Sequence, residues 1–339
     1  MKRIVEESLL GRAWVVNEGS EDKNIIEKIL AGRGILDSAD VQLFLNPSIK
    51  NQMPDPFVLK DMQRAVEIAA DVITLGQKIA VFGDYDVDGI TSTAIMVKYL
   101  TKAGAQVIWH LPARESEGYG LNIETIEKFH TDGAKLMISV DCGISGIEEV
   151  ARAKELGMQV IVTDHHSPDF ELPKADAIVN PKRNDDDSGL DYLAGVGVAF
   201  MFVVALNREL KSRGKAPEDL NLLDYLDMVA LGTICDTMPL TGLNRAFVST
   251  GLKVLSRRQN LGLSTLMDVA RASFINVYIV GFVLGPRLNA AGRLKSAAPA
   301  LELLLTDNPG TARFLAEELD TQNKERKDIE SGIMLGRCV

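Results

Sequence analysis

The sequence predicts an α/β fold: a parallel five-stranded sheet flanked by helices, followed by a mainly helical segment and a long connecting helix. Three observations carry this. Apolar runs that read as buried strands alternate with helical stretches between residues 78 and 179, the pattern of βαβ crossovers. Beyond the polar loop at 184–189 the strand pattern stops and helical periodicity takes over. Acidic and imidazole side chains follow directly on three of the strands, where an open α/β sheet places its ligand crevice.

Taken in order, residues 1–55 read as a small helical lead-in. Asn24 to Leu30 carries apolar residues at helical spacing, and Asp40 to Phe44 is a second short segment closed by Asn46-Pro47. Asp61 to Leu75 is an amphipathic helix that feeds the first strand. Strand 78–83 precedes helix 91–103, strand 106–110 precedes helix 122–131, and strand 135–140 precedes helix 145–156; strand 158–163 leads on to Ala177-Ile178-Val179. The acids of Asn184-Asp185-Asp186-Asp187-Ser188-Gly189 mimic part of a calcium loop, but the later Glu is absent, so this is a solvated loop. Val196 to Leu210 is a helix entered through Gly195 and Gly197. Leu222 to Ile234 is almost wholly apolar and therefore buried. Ser264 to Ala272, Ala297 to Leu305 and Thr311 to Ile333 are further helices, the last long and charged with no partner left in the chain for its apolar stripe.

At 339 residues the chain suits two domains, or one and a half. Its 46% hydrophobic and 25% charged residues are those of a soluble globular enzyme. No apolar run approaches the roughly 18 residues that span a bilayer, and Glu6-Glu7 interrupts any signal-peptide core, so a cytoplasmic protein is expected. Cys142, Cys235 and Cys338 lack CxxC spacing, which excludes a disulfide framework or zinc knuckle. The net charge of −10 argues against coating nucleic acid by bulk electrostatics. It leaves room for a nuclease with local basic groups: Arg287, Arg293 and Lys295 in one place, Lys182 and Arg183 in another.

The chemistry sits in Asp84-Tyr85-Asp86-Val87-Asp88-Gly89, Val140-Asp141-Cys142-Gly143 and Thr163-Asp164-His165-His166. Asp84, Asp86 and Asp88 alternate, which in an extended strand end puts them on one side, where cations must relieve their repulsion. Gly89 supplies a strained turn, and Ile90-Thr91-Ser92 opens a helix whose N-terminus favours phosphate. Asp141 closes a neighbouring strand. Adjacent His165 and His166 point apart, so one is a metal ligand and the other meets phosphate or supports the site. His110 and His130 are a strand end and a helix surface. Asp236, at the end of an apolar helix, needs a nearby cation, whereas Asp227 faces elsewhere and is structural. Gly285-Pro286-Arg287-Leu288-Asn289-Ala290-Ala291-Gly292-Arg293 offers glycines for close approach and arginines suited to bidentate phosphate binding. Asp and His together suit Mn²⁺, Mg²⁺ or Zn²⁺, and the whole points to a hydrolase.

These motifs, with Leu-Gly-Thr-Ile-Cys-Asp at 231–236, resemble the DHH phosphoesterase superfamily. Phe44-Leu45-Asn46-Pro47, Asp55-Pro56-Phe57, Glu117-Gly118-Tyr119-Gly120-Leu121, the Leu193–Phe200 segment and the run 285–294 narrow the resemblance to the RecJ single-stranded-DNA-specific exonucleases, over about residues 25–330. The resemblance implies a DHH-type sheet and a processive 5′→3′ exonuclease of DNA repair and recombination that releases mononucleotides with two Mn²⁺ (preferred) or Mg²⁺ ions. By motif matching, Asp84, Asp86, Asp141, His165 and Asp236 are its metal ligands, with Asp141 bridging. Asp88 and His166 support the site and the scissile phosphate, while Arg287, Asn289 and Arg293 hold the substrate backbone. A helicase and a single-strand-binding protein are the implied partners of a monomer.

The implied domains are the lead-in at 1–55, a DHH catalytic domain at 56–245, a helical segment with the phosphate-binding Gly-Pro-Arg-Leu-Asn loop at 246–310, and a connector helix at 311–339. Two departures stand out. Ala80 occupies a position where related phosphatases carry histidine. The family's second domain, with its Gly-Gly-His motif, is missing after Val339, so a truncated chain is expected. The alternatives are a DHH phosphodiesterase acting on short oligonucleotides or cyclic dinucleotides, and a non-catalytic DHH scaffold.

Overall fold

The computed structural model describes residues 2–7, 10–17, 24–294 and 296–334. It begins with an antiparallel pair, β1 (Lys2–Glu7) and β2 (Ala13–Asn17), in the register Arg3↔Val16 and Ile4↔Val15. The helical lead-in is thereby corrected for these residues. Ile4-Val5 and Trp14-Val15-Val16 are β-branched and aromatic, and Gly11, at φ 68°, supplies the turn between the strands. Helices follow as expected: α1 (Ile25–Gly32), α2 (Ser38–Leu45) and the short α3 (Ile49–Gln52). Asn24 and Glu27 form a reciprocal capping box on α1.

After α4 (Met62–Thr74) come β3 (Lys78–Gly83), β4 (Gln106–His110), β5 (Ala134–Val140), β6 (Gln159–Thr163) and β7 (Ala177–Val179). All five are parallel, in the order β4-β3-β5-β6-β7. The crossovers are α5 (Val87–Lys102), α6 (Ile123–Thr131) and α7 (Ile147–Glu155). Ile79, Val81 and Ile138 face one apolar core with α4 and α5, while Ala80, Phe82 and Met137 face a second with Ile126 and Phe129 of α6 and Val150 of α7. Burial on both faces explains why these strands read as continuous apolar runs. The chain order reverses between β3 and β5, and a ligand crevice opens there at the carboxyl ends of the strands.

The helical part comprises α8 (Gly195–Ser212), α9 (Leu226–Cys235), α10 (Gly242–Ser256), α11 (Leu261–Val269), α12 (Val277–Ile279), a π-helical turn (Val280–Leu284), α13 (Gly285–Leu294), α14 (Ala298–Leu305) and α15 (Pro309–Met334). Two expectations change. The run 285–293 is a helix rather than a phosphate-binding loop. The wide π-turn just before it accommodates Pro286, which lacks an N–H. Its glycines serve contact: side chains at 285 and 292 would collide with Cys235 Sγ and the Tyr85 carbonyl. The long helix also has a partner, since Ala312, Leu315, Ala316 and Leu319 are buried where α15 packs on α11, α13 and α14. Among the described residues no helix is long and apolar enough to cross a membrane.

Candidate metal centre

The first acidic cluster turns into α5 at once, four residues earlier than expected. Asp86 is the N-cap: its Oδ1 accepts from the N–H groups of Asp88 (2.9 Å) and Gly89 (3.1 Å). The N–H of Val87 donates to Asn289 Oδ1 at 3.0 Å, and that of Ile90 to the Asp86 carbonyl. The N-terminal amides of α5 are therefore spent within the protein, which overturns the expected phosphate seat at Ile90-Thr91-Ser92. The extended arrangement of the three acids is overturned as well. Asp88 lies in the first helical turn and points at α8, accepting from Gly195 N (2.7 Å) and Val196 N (2.9 Å). Gly89 is not a strained turn: a side chain there would strike the Asp84 backbone.

Asp141 follows β5 in the left-handed region, at φ 59°. Its Oδ1 is buried and accepts no hydrogen bond. Asp164, after β6, is a fully satisfied buried acid. Its Oδ1 accepts from His165 N (2.7 Å), His166 N (3.0 Å) and His166 Nδ1 (2.8 Å), and its Oδ2 from Ile144 N (2.9 Å). It ties the two loops together.

His165 Nδ1 lies 3.0 Å from the Leu193 carbonyl, which can only accept, so the ring proton sits on Nδ1 and Nε2 is a bare lone pair. That lone pair stands 3.1 Å from Asp141 Oδ1 and 3.7 Å from both Asp88 Oδ2 and Asp236 Oδ2. Asp236 caps the end of α9. Buried acceptors aimed at one another call for a cation between them.

The electrostatics agree. Burial, then the Asp86 charge, pushes Asp84 and Asp88 up to about 7. Burial, then Asp88, raises Asp236 to about 6 and Asp141 well above the carboxylate range. Burial and the neighbouring His166 lower His165, keeping it neutral. His166 is raised by its hydrogen bond to Asp164. Three sets converge with ligand atoms within 4.8 Å: Asp84, Asp86 and Asp141; Asp88, His165 and Asp236; Asp141, His165 and His166. Asp141 belongs to two of them. Carboxylate oxygens with imidazole nitrogens fit divalent ions such as Mn²⁺ or Mg²⁺.

Seven predicted residues thus meet at one place: Asp84, Asp86, Asp88, Asp141, His165, His166 and Asp236. The predicted phosphate group does not present itself in the same way. Arg287 donates from Nε to Asp320 Oδ1 (2.9 Å) and from Nη1 to the Val283 carbonyl (2.6 Å), joining α13 to α15. Asn289 holds Val87. The side chain of Arg293 lies outside the described residues, as do Lys295 and Cys338. Arg183 is paired with Asp61 and Asp185. The Cys142 thiol is buried, and burial pushes Cys235 up to about 12, so both are inert.

Sequence reasoning left Asp164 and Tyr119 without roles. The Tyr119 hydroxyl is 3.3 Å from both ring nitrogens of His166, and its ring meets Tyr85 edge-on. Gly118 and Gly120, at φ 83° and 84°, flank it. A tyrosine between two such glycines was the available signal.

Residues 78–233 match the DHH family, N-terminal domain. The chain is 40% identical over 319 residues to the single-stranded-DNA-specific exonuclease RecJ of Escherichia coli (strain K12), covering 92% of this chain and 54% of that protein. It also matches a crystal structure of exonuclease RecJ bound to manganese, with 37% identity and a TM-score of 0.73 over 82% of this chain and 69% of that one. The chain belongs to the RecJ family. RecJ of Thermus thermophilus in complex with Mn²⁺ matches 92% of the chain with a TM-score of 0.76 and 33% identity, over 43% of its own length. The chain spans about half the length of its E. coli RecJ relative.

Proposed function

We propose that this chain carries the catalytic part of a metal-dependent 5′→3′ exonuclease that hydrolyses single-stranded DNA to 5′-mononucleotides. The observation that carries the reading is the bare His165 Nε2 facing the unpartnered Asp141 Oδ1 at 3.1 Å, in a ring of acids that cannot all ionise alone. Asp84, Asp86, Asp141, His165 and Asp236 would hold two divalent cations, Mn²⁺ or Mg²⁺; Asp141 belongs to two of the converging sets. Such ions supply Lewis-acid chemistry, activating the attacking water and neutralising charge at the phosphate.

The chain's own residues prepare that site. The Leu193 carbonyl keeps the proton on His165 Nδ1 and leaves Nε2 free to ligate. Asp164 holds His166 through Nδ1 and favours its charged form, so Nε2–H can donate a charge-assisted hydrogen bond to a phosphate oxygen. Asp88 anchors the start of α8, and with it the floor beneath Asp141. Residues 56–245 form the catalytic domain on this reading. On this reading Arg293 of helix α13 guides the DNA backbone, while Arg287 and Asn289 hold that helix to α15 and to the 84–87 turn. The chain acts as a cytoplasmic monomer brought to single strands by a helicase and a single-strand-binding protein.

The test is incubation of the purified chain with 5′- and 3′-labelled single-stranded DNA and Mn²⁺, beside Asp141→Ala. Manganese-dependent release of mononucleotides from the 5′ end, lost in the variant, is the expected result. Release from the 3′ end, or equal release by Asp141→Ala, overturns the reading.

A further inference from the structure

A cavity of about 300 Å³ opens beside the metal centre, between the loop after β4, the loop after β5 and His166. We propose that it receives the nucleoside of the strand's terminal nucleotide, and that Glu149 reads hydrogen-bond donors on that nucleoside. The inference rests on the nuclease reading above and names the part of the substrate that this wall of the site recognises.

Location supports it first. His166 lines the cavity and also belongs to one of the converging ligand sets, and Asp164, which holds its ring, lines the cavity too, so a nucleotide with its phosphate at the acids has its sugar and base within reach. Size supports it next: the volume lies at the low end of small-ligand pockets, which start near roughly 300 Å³. It suits one nucleoside, not two. The lining is mixed in the way a nucleoside needs. Leu121 and Ile144 are apolar, and Tyr119 offers a ring and a hydroxyl.

Glu149 is the group that this reading explains. It is half-buried in the first turn of α7, lines the cavity, and has no hydrogen bond or ion pair among the described residues. Gly146 leaves room for it: Glu149 Oε2 lies 3.6 Å from where a side chain at 146 would begin. A free carboxylate only accepts hydrogen bonds. It repels a phosphate, which is thereby directed to the cation side, and welcomes an N–H or O–H donor. The exocyclic amines of cytosine, adenine and guanine are such donors. Within a channel that tolerates every base, this predicts a preference at the terminal position alone.

The test compares first-turnover cleavage of strands ending in dC, dT or an abasic residue, by the full chain and by Glu149→Gln and Glu149→Ala. A parallel arm measures binding of dCMP and of deoxyribose 5-phosphate with Mn²⁺ present. A hydrogen bond to a charged group corresponds to roughly tenfold, so wild type is expected to favour dC over abasic by about that factor. Both variants lose the preference while their Mn²⁺ affinity is kept. Equal cleavage of abasic and dC ends, or an equal loss on all ends in the variants, overturns the proposal. If the chain cleaves no DNA yet binds dCMP over deoxyribose 5-phosphate through Glu149, the cavity assignment stands and the nuclease reading fails.

Discussion

Gly195 and Asp141 are packed so closely that a methyl group on the glycine would collide with the Asp141 carboxylate. The same glycine donates its N–H to Asp88 Oδ2 at 2.7 Å. One residue without a side chain therefore connects the acid that needs a cation to the acid that anchors α8.

Gly195→Ala should displace Asp141 and cost the centre its metal. The expected outcome is at least about a tenfold weaker Mn²⁺ affinity by calorimetry, with about 1–3 kcal/mol of stability lost to overpacking. Circular dichroism should show the helices retained. Unchanged Mn²⁺ binding would mean that Asp141 is not a ligand.

Without metal, stability should fall as pH rises. Asp84 and Asp88 titrate near 7 and Asp236 near 6 in the folded chain, against an ordinary 3.8. Between those values the folded form binds more protons than the unfolded one. The stability contributed by these groups is fully present below about pH 4 and is lost as pH climbs through 6 to 7. Tm in EDTA should therefore drop across that window. Added Mn²⁺ should raise Tm more at pH 8 than at pH 5, because cations and protons compete for the same oxygens.

Two buried acids should respond oppositely to amide substitution at pH 8. Asp84→Asn removes a charge that burial opposes and should stabilise the metal-free chain by roughly 1–2 kcal/mol, while abolishing the gain from Mn²⁺. Asp164 is held below the usual range: burial opposes its ionisation, but hydrogen bonds from His166 and the backbone prevail. Asp164→Asn should destabilise by about 2–4 kcal/mol. Denaturant titration with and without Mn²⁺ separates the two.

Arg287→Ala should act on stability through α15. Its partner Asp320 is nearly buried but keeps Lys324, so losing the Arg287 hydrogen bonds costs about 1–2 kcal/mol. Lysine should not rescue it, because the guanidinium bonds Asp320 and the Val283 carbonyl from different nitrogens. A normal Tm with weakened DNA binding would instead put the side chain on the substrate.

The sheet and most of its helices were legible because a parallel strand buried on both faces has to be an uninterrupted apolar run. Phe82 and Val81 look to opposite cores, and neither tolerates a polar residue. The N-terminal pair of strands was misread because both strands are short and carry too little alternation to stand out. Helix α13 was misread because its glycines and proline are turn formers by composition, while their contacts with Cys235 and Tyr85 are set by distant parts of the chain.

That Asp84, Asp86, Asp88, Asp141, His165, His166 and Asp236 converge was legible from their order along the chain, since acids and histidines placed directly on parallel strand ends are brought to one crevice. Their division of labour was not. Asp84, Asp86 and Asp88 look equivalent as a spacing, yet the early start of α5 makes Asp86 a cap and turns Asp88 toward α8. Likewise, two adjacent histidines look alike in the sequence; in the fold His165 Nδ1 faces the neutral Leu193 carbonyl, 28 residues away, while His166 Nδ1 faces the Asp164 carboxylate, which favours a neutral ring at the first and a charged one at the second. Chemistry belongs to residue types and is carried by sequence. Roles depend on which lone pairs and protons the fold has already used, and only long-range packing decides that.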